Sequence, residues 1–327
     1  MKKKVLSIIA VVLVVVGIAL IFTVAIPKLQ YANDSTDTEE LYRNYIDLVG
    51  YENTIETAIP QTELYSIVKN HFESPLAEGK TEKKAIIIGY DGCRADILNA
   101  MIEEKSAISS MLHDGATIKL TYCGGVNYPE KNTQDTSTAP GWCSILTGVW
   151  ADKHGITAND ITKSMEHKTL LTSLVEENTI DSSIFITKWK GHFDRKNATY
   201  LEEKAYCEDN NLNVVFTRCE DDEASFNYTI TEIEQEKCAD FLFVIYEHTD
   251  SAGHNSGFTY NNPKYRDAFI EMDNYGYDTI KAIEGRETYE TEDWLIIITS
   301  DHGGIGTDHG GASIQERMTF IVTNKEF

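Results

Sequence analysis

Ala85-Ile86-Ile87-Ile88-Gly89-Tyr90-Asp91-Gly92 is the stretch on which the fold turns. From Ala85 to Tyr90 it is uncharged and rich in β-branched isoleucine, without apolar/polar alternation. That pattern predicts a short strand buried on both faces. Similar runs recur at Ala116–Thr121, Ser183–Thr187, Asn213–Thr217, Phe241–Tyr246, Trp294–Thr299 and Met318–Val322. Helical spacing appears between several of them, at Ala95–Met111, Lys168–Glu177, Phe226–Lys237 and Pro263–Gly285. Strand–helix alternation of this kind predicts an α/β fold with a mainly parallel central sheet and helices on both faces. Ligands in such folds sit beyond the carboxyl ends of the strands.

The chain has 327 residues, a formal charge of −23 and 42% hydrophobic content. That size accommodates one large domain and an appendage. So acidic a surface repels polymeric nucleic acid, which is not expected as a partner. Before the first strand, Lys2, Lys3 and Lys4 precede a run from Val5 to Ile26 without a single charge. As a helix this run spans about 33 Å, enough to cross a bilayer. Residues 1–28 are therefore expected to form a single-pass transmembrane signal anchor, contacting lipid through residues 5–26. Its lysines would be cytoplasmic and the rest of the chain extracytoplasmic, at the cell membrane. Residues 29–82 read as an extracytoplasmic stalk with short helices at Leu41–Val49 and Glu63–His71, and residues 83–327 as the main domain. None of the six cysteines forms a C-x-x-C pair, which argues against a thiolate zinc site. Cys207 and Cys219 are close enough in sequence to pair in an oxidising location; buried free thiols are the equal alternative.

The strand ends carry metal-ligand chemistry. Asp91 follows the first strand, Asp250 and His254 follow the strand ending at Tyr246, and Asp301 and His302 follow the strand ending at Thr299. His309 lies in the same loop as the last pair. Mixed carboxylate and imidazole ligands suit zinc, with manganese or iron as alternatives. Six of them suffice for two divalent ions, which can clamp the attacking and leaving oxygens of an in-line displacement at phosphorus. Thr138 stands just before a helix whose start is marked by Pro140. A hydroxyl there meets the positive end of the helix and, beside a metal, can act as nucleophile. Ser137 is the rival on spacing alone, and an ordinary helix cap is the simpler alternative. Arg94, Lys188, Lys190 and His192 are candidate substrate contacts, with Gly141 and Trp142 beside the nucleophile; His248 reads as structural.

These residues resemble the alkaline phosphatase superfamily, and within it the nucleotide pyrophosphatase/phosphodiesterase-like branch. Ile86 to Asp96 is similar to that branch's first metal motif. Thr138-Ala-Pro-Gly-Trp-Cys-Ser-Ile-Leu-Thr-Gly148 with His154-Gly-Ile156 is similar to its nucleophile motif. Asp250-Ser-Ala-Gly-His254, Ser300-Asp-His-Gly-Gly304 and His309-Gly-Gly311 are similar to the remaining metal motifs. The resemblance runs from about Lys84 to the C-terminus. It implies an alkaline phosphatase-like domain in which Asp91, Thr138, Asp301 and His302 hold one zinc and Asp250, His254 and His309 the other. It further implies a phosphodiesterase or nucleotide pyrophosphatase that works through a phosphothreonine. The substrate would be a small phosphate ester, nucleotides among the candidates. The branch usually has Pro-Asn-His where this chain has Pro140-Gly141-Trp142. A phosphate oxygen would then be met by backbone N–H, another side chain or the metals. This departure keeps two alternatives open: a phosphomonoesterase or phospho-group transferase on the same site, and a metal-holding binding protein without turnover.

Overall fold

The structure, a computed structural model, describes residues 57–100, 106–127, 130–159, 165 and 167–327. The anchor at 1–28, the apolar run 5–26 and the first part of the expected stalk, with its helix at 41–49, lie outside them. No helix among the described residues is long and apolar enough to cross a membrane.

Eight strands form one sheet: β1 (Ile59–Pro60), β2 (Glu82–Tyr90), β3 (Thr117–Tyr122), β4 (Ser183–Thr187), β5 (Val214–Arg218), β6 (Phe241–Tyr246), β7 (Glu292–Thr299) and β8 (Met318–Thr323). Their order is β1-β3-β8-β7-β2-β6-β4-β5. β2 pairs in parallel with both β6 and β7, while β8 runs antiparallel to β3 and β7. The sheet is therefore mainly parallel, and the stretch around Ile87 lies at its centre.

Period-two side-chain direction explains why β2 is apolar throughout. Ile86, Ile88 and Tyr90 enter one core, with α2 (Ala107–His113), α7 (Asp222–Ile233) and α9 (Pro263–Glu284). Ala85 and Ile87 enter the other, with α1 (Glu63–Glu73), α3 (Thr138–Thr147) and α5 (Leu170–Glu176). Helices thus cover both faces, and each fully buried Ile or Phe contributes about 1.5–3 kcal/mol. Shorter helices are α4 (Ala151–His154), α6 (Leu201–Asp209), α8 (His248–Ser256) and α10 (Ile314–Arg317).

Two expectations change. The boundary at residue 82 moves, because β1 adds to the sheet beside β3 and α1 buries Leu64, Val68 and Phe72 in the core. Residues from about 59 onward belong to the domain, not to a stalk. The single helix expected over Ala95–Met111 is divided: a 3-10 segment spans Ala95–Ala100, and α2 starts afresh where the Ser106 hydroxyl accepts from the Ser109 amide.

Candidate metal centre

β2, β6 and β7 are adjacent and parallel, so their carboxyl ends open at one edge. Asp91 leaves β2, α8 starts just after β6 and carries Asp250 and His254 one turn apart, and Asp301 and His302 follow β7. Asp91, Asp301 and His302 form one buried trio; Asp250, His254 and His309 form a second that is more open to water. In each trio the possible ligand atoms lie within 4.8 Å of one another. His302 Nε2 is 3.6 Å from Asp91 Oδ1 and 3.5 Å from Asp301 Oδ2. His254 Nε2 is 3.5 Å from Asp250 Oδ2, and His309 Nε2 is 3.6 Å from Asp250 Oδ1. The His302 and His309 rings lie 4.1 Å apart, centroid to centroid, so the two trios adjoin.

The donor set fits two divalent ions. A tetrahedral ion with ligands at about 2.0–2.2 Å has ligand–ligand edges of about 3.3–3.6 Å, which the four histidine–carboxylate distances match. Backbone carbonyls fix how the imidazoles are turned. Nδ1 of His302 faces the Gly303 carbonyl at 2.7 Å, that of His254 the Thr307 carbonyl at 3.0 Å, and that of His309 the Thr136 carbonyl at 3.1 Å. With each Nδ1–H donated, every Nε2 lone pair faces the carboxylates. Asp250 Oδ1 and Asp301 Oδ2 are buried and accept no hydrogen bond. Electrostatics agree. Burial pushes the Asp91 carboxyl up to about 7 against the Trp142 and Thr138 donors that pull it down. Burial and the Asp91 charge push Asp250 and Asp301 well above the usual carboxylate range. Burial, with the neighbouring histidines, holds His302 well below its ordinary value and His309 down at about 4. Neutral imidazoles among mutually repelling carboxylates favour a bound cation.

Thr138 is the first residue of α3. Its Oγ1 lies 3.4 Å from Asp91 Oδ1 and 3.5 Å from His302 Nε2, at the same spacing as the ligand atoms. The Ser137 hydroxyl is buried without a partner and makes neither contact, so the geometry favours Thr138 over its neighbour.

The expected substrate contacts fare differently. Trp142 is fully buried, and its Nε1–H donates to Asp91 Oδ2 at 2.9 Å, so it orients a candidate ligand. Gly89 makes room for that ring, since a Cβ there would lie 2.5 Å from it. Gly141 packs on Asp301: a Cβ would sit 2.9 Å from both its Cβ and its carbonyl oxygen. His192 is fully buried among Phe185, Trp189 and Tyr200, with neither ring nitrogen partnered, and burial lowers it to about 3. A neutral imidazole walled in this way presents no ring edge to solvent. Arg94 is buried against Asp96 and the Phe258 carbonyl. Lys190 is exposed. Lys188 is held at 2.7 Å by Asp222 and at 3.9 Å by Glu247, at the neighbouring strand ends. His248 faces Asp222 at 3.2 Å. All six cysteines are free thiols, so Cys207 and Cys219 are not bridged.

One residue escaped the sequence reading. Asn159 follows the His154-Gly155-Ile156 segment, and its Nδ2 lies 3.5 Å from Thr138 Oγ1 while its Oδ1 accepts from the Ala139 amide at 2.7 Å. It brings a side-chain amide beside the Thr138 hydroxyl. A polar residue on a loop has no periodicity to mark it, and Asn159 lies just past the end of the nucleophile motif at Ile156.

Several solved structures resemble this chain at low identity. Murine ectonucleotide pyrophosphatase/phosphodiesterase 5, solved as an inactive variant with AMP, is 17% identical, with a TM-score of 0.47, covering 68% of this chain and 57% of that one. This chain thus spans a little over half the length of that protein. An alkaline phosphatase from the Antarctic bacterium TAB5 is 13% identical, with a TM-score of 0.43 and coverages of 74% and 91%. The periplasmic domain of phosphoethanolamine transferase EptC from Campylobacter jejuni is 11% identical, with a TM-score of 0.48 and coverages of 75% and 81%. A search of curated proteins finds no match. The sequence profile of the type I phosphodiesterase / nucleotide pyrophosphatase family, however, matches residues 85–318, a span that includes Thr138 and all six candidate ligands and exceeds half of the chain, and the chain belongs to that family.

Proposed function

We propose that this chain is a membrane-anchored, two-metal hydrolase of phosphate esters, acting on diesters or phosphoanhydrides of small molecules such as nucleotides. The observation that carries this reading is the place of the Thr138 hydroxyl, at ligand spacing from both Asp91 and His302. Asp91, Asp301 and His302 with Thr138 would hold one ion and Asp250, His254 and His309 the other, zinc being the metal that best suits these donors. Bound there, the ions supply Lewis-acid charge that favours ionised oxygens and an easily deprotonated hydroxyl.

The chain's own groups do the rest. Thr138 Oγ1 passes its proton to solvent and attacks phosphorus, the P–O bond to the leaving group breaks on the opposite side and its oxygen takes a proton from solvent, and a phosphothreonine results; water then cleaves it, giving free phosphate ester or phosphate and restoring the hydroxyl. The amino end of α3 places partial positive charge beside the phosphate. The Asn159 Nδ2 donates to a non-bridging oxygen as charge builds there. Trp142 keeps Asp91 turned so that Oδ1 faces Thr138. Family membership supports a diester or anhydride over a monoester. The apolar run 5–26, with its flanking lysines, supports an anchor with residues 57–327 outside the cell.

The test is a panel of a nitrophenyl diester, a nitrophenyl monoester and a nucleotide anhydride, on zinc-loaded full-length chain and on Thr138→Ala. The wild type is expected to cleave the diester and anhydride faster than the monoester. The variant should keep fold and zinc but lose turnover. A fully active Thr138→Ala protein would refute the nucleophile. Zinc binding without turnover on any substrate would point to a binding protein. Deleting residues 1–28 should free the protein from membranes and leave its rates unchanged.

A further inference from the structure

The loop after β4 reverses the charge of the molecule. In a chain of net charge −23, Lys188, Lys190, Arg195 and Lys196 fall within nine residues, with Asp194 the only acid among them. Lys188 turns inward to Asp222 and Glu247. Arg195 is exposed, yet it is tied to the reaction centre. Its Nη2 donates to the Asn159 carbonyl at 3.3 Å, and Asn159 is the residue whose side chain lies between Thr138 and the Ala139 amide. Its guanidinium lies over the Trp189 ring, 5.4 Å from the centroid. Trp189 is in turn braced edge-on against the buried His192 at 4.8 Å. A guanidinium held over a ring and fastened by one N–H has given up part of its freedom before any ligand arrives. Among the described residues, its remaining donors meet no acceptor.

We propose that Arg195, seated on Trp189, recognises a second anionic group of the substrate, a phosphate other than the one attacked by Thr138. This rests on the phosphate-ester reading above and narrows it. The preferred substrate carries two or more adjacent charges, as a phosphoanhydride does, and not a single charged phosphate between neutral groups. Asp194 does not cancel the guanidinium, because it is engaged by Arg218. His192 beneath the ring stays neutral and adds no charge of its own. Exposed Lys190 and Lys196 add long-range attraction that salt screens, whereas Arg195 supplies directed hydrogen bonds.

The test is calorimetric binding of two probes to the zinc-loaded full-length chain: AMP, with one phosphate, and α,β-methylene-ADP, with two and no cleavable bridge. The wild type should bind the methylene analogue more tightly than AMP. Arg195→Ala should weaken the analogue about tenfold and AMP less than twofold, and Arg195→Lys should recover part of the loss. Equal weakening of both probes would mean that Arg195 merely holds Asn159, and no weakening of either would mean that it faces solvent idly; each overturns the proposal. Absence of any preference for the analogue in the wild type overturns it too. Turnover measured in parallel separates the two readings. A charge-dependent loss in a protein that cleaves nothing keeps this assignment and removes the hydrolase; full turnover without the differential loss does the reverse.

Discussion

Gly141→Ala adds one methyl group and should disable one of two metal positions. The new Cβ would lie 2.9 Å from the Asp301 Cβ and 2.9 Å from its carbonyl oxygen. Carbon atoms pack at about 3.5–4.0 Å, so one partner must retreat by about 0.6 Å. Neither has room. Asp301 follows β7, which is paired on both sides, and its Oδ1 accepts from the Gly92 amide at 3.2 Å. α3 is buried along its whole length. Overpacking of this kind costs about 1–3 kcal/mol, or a drop of about 5 °C in Tm for a domain of this size. The displaced carboxylate should lower affinity at the Asp91–Asp301–His302 position by about 10–100-fold, the usual scale when the support of a metal ligand is disturbed. The three atoms nearest to that Cβ all belong to Asp301, so the Asp250–His254–His309 position should remain tight. Zinc titration against a chromophoric chelator resolves the two: two tight equivalents in the wild type, one tight and one weakened in the variant. Asparagine at 141, usual in the related branch, should do worse, because its side chain adds bulk to the same contact. A Gly141→Ala protein with both tight equivalents and an unchanged Tm would show that the close approach carries no constraint and would undo the reasoning.

Asn159→Ala should lower kcat/KM by about 100-fold at unchanged zinc stoichiometry, the scale of losing one donor to a developing oxyanion; an unchanged rate would leave Asn159 as a cap on the Ala139 amide and nothing more. Acid should weaken the fold through buried imidazoles. Burial lowers His154 to about 4, and its ring lies 3.1 Å from both the Ser144 hydroxyl and the Ile156 amide. Its folded pKa lies below its unfolded one, so the unfolded chain binds more protons between about pH 6.5 and 4, and stability falls as pH drops through that window. The ceiling is about 3 kcal/mol for this group. Urea unfolding of metal-free wild type and His154→Gln at pH 7.5 and 4.5 should show the smaller acid loss in the variant, and equal losses would count against the assignment.

The central strands are legible in the sequence, and the convergence of the six candidate ligands follows from it, because two simple regularities mark them. A strand buried on both faces must be apolar throughout, and in a parallel sheet polar residues just past successive strands converge. Which way a side chain points after the chain has turned is not legible in the sequence. Trp142 and Gly141 lie near the nucleophile in sequence and His192 lies in the loop after β4, and all three behave as packing: one donates to Asp91 from beneath, one is small because Asp301 is close, and one is walled in by Phe185 and Trp189. α8 hid for a related reason, since a helix that carries Asp250 and His254 into a site is polar where an ordinary helix is apolar, with only Thr249 and Gly253 buried. Asn159 and Arg195 come from separate loops, and only tertiary structure joins them. Chemistry that acts through ions held at strand ends can be inferred from residue types alone, whereas selection of a substrate is set by loops whose contacts leave no pattern in the sequence. For this chain the nucleophile is therefore argued from Thr138 and its ligand-like spacing, and the substrate from Arg195, one hydrogen bond away from the residue beside it.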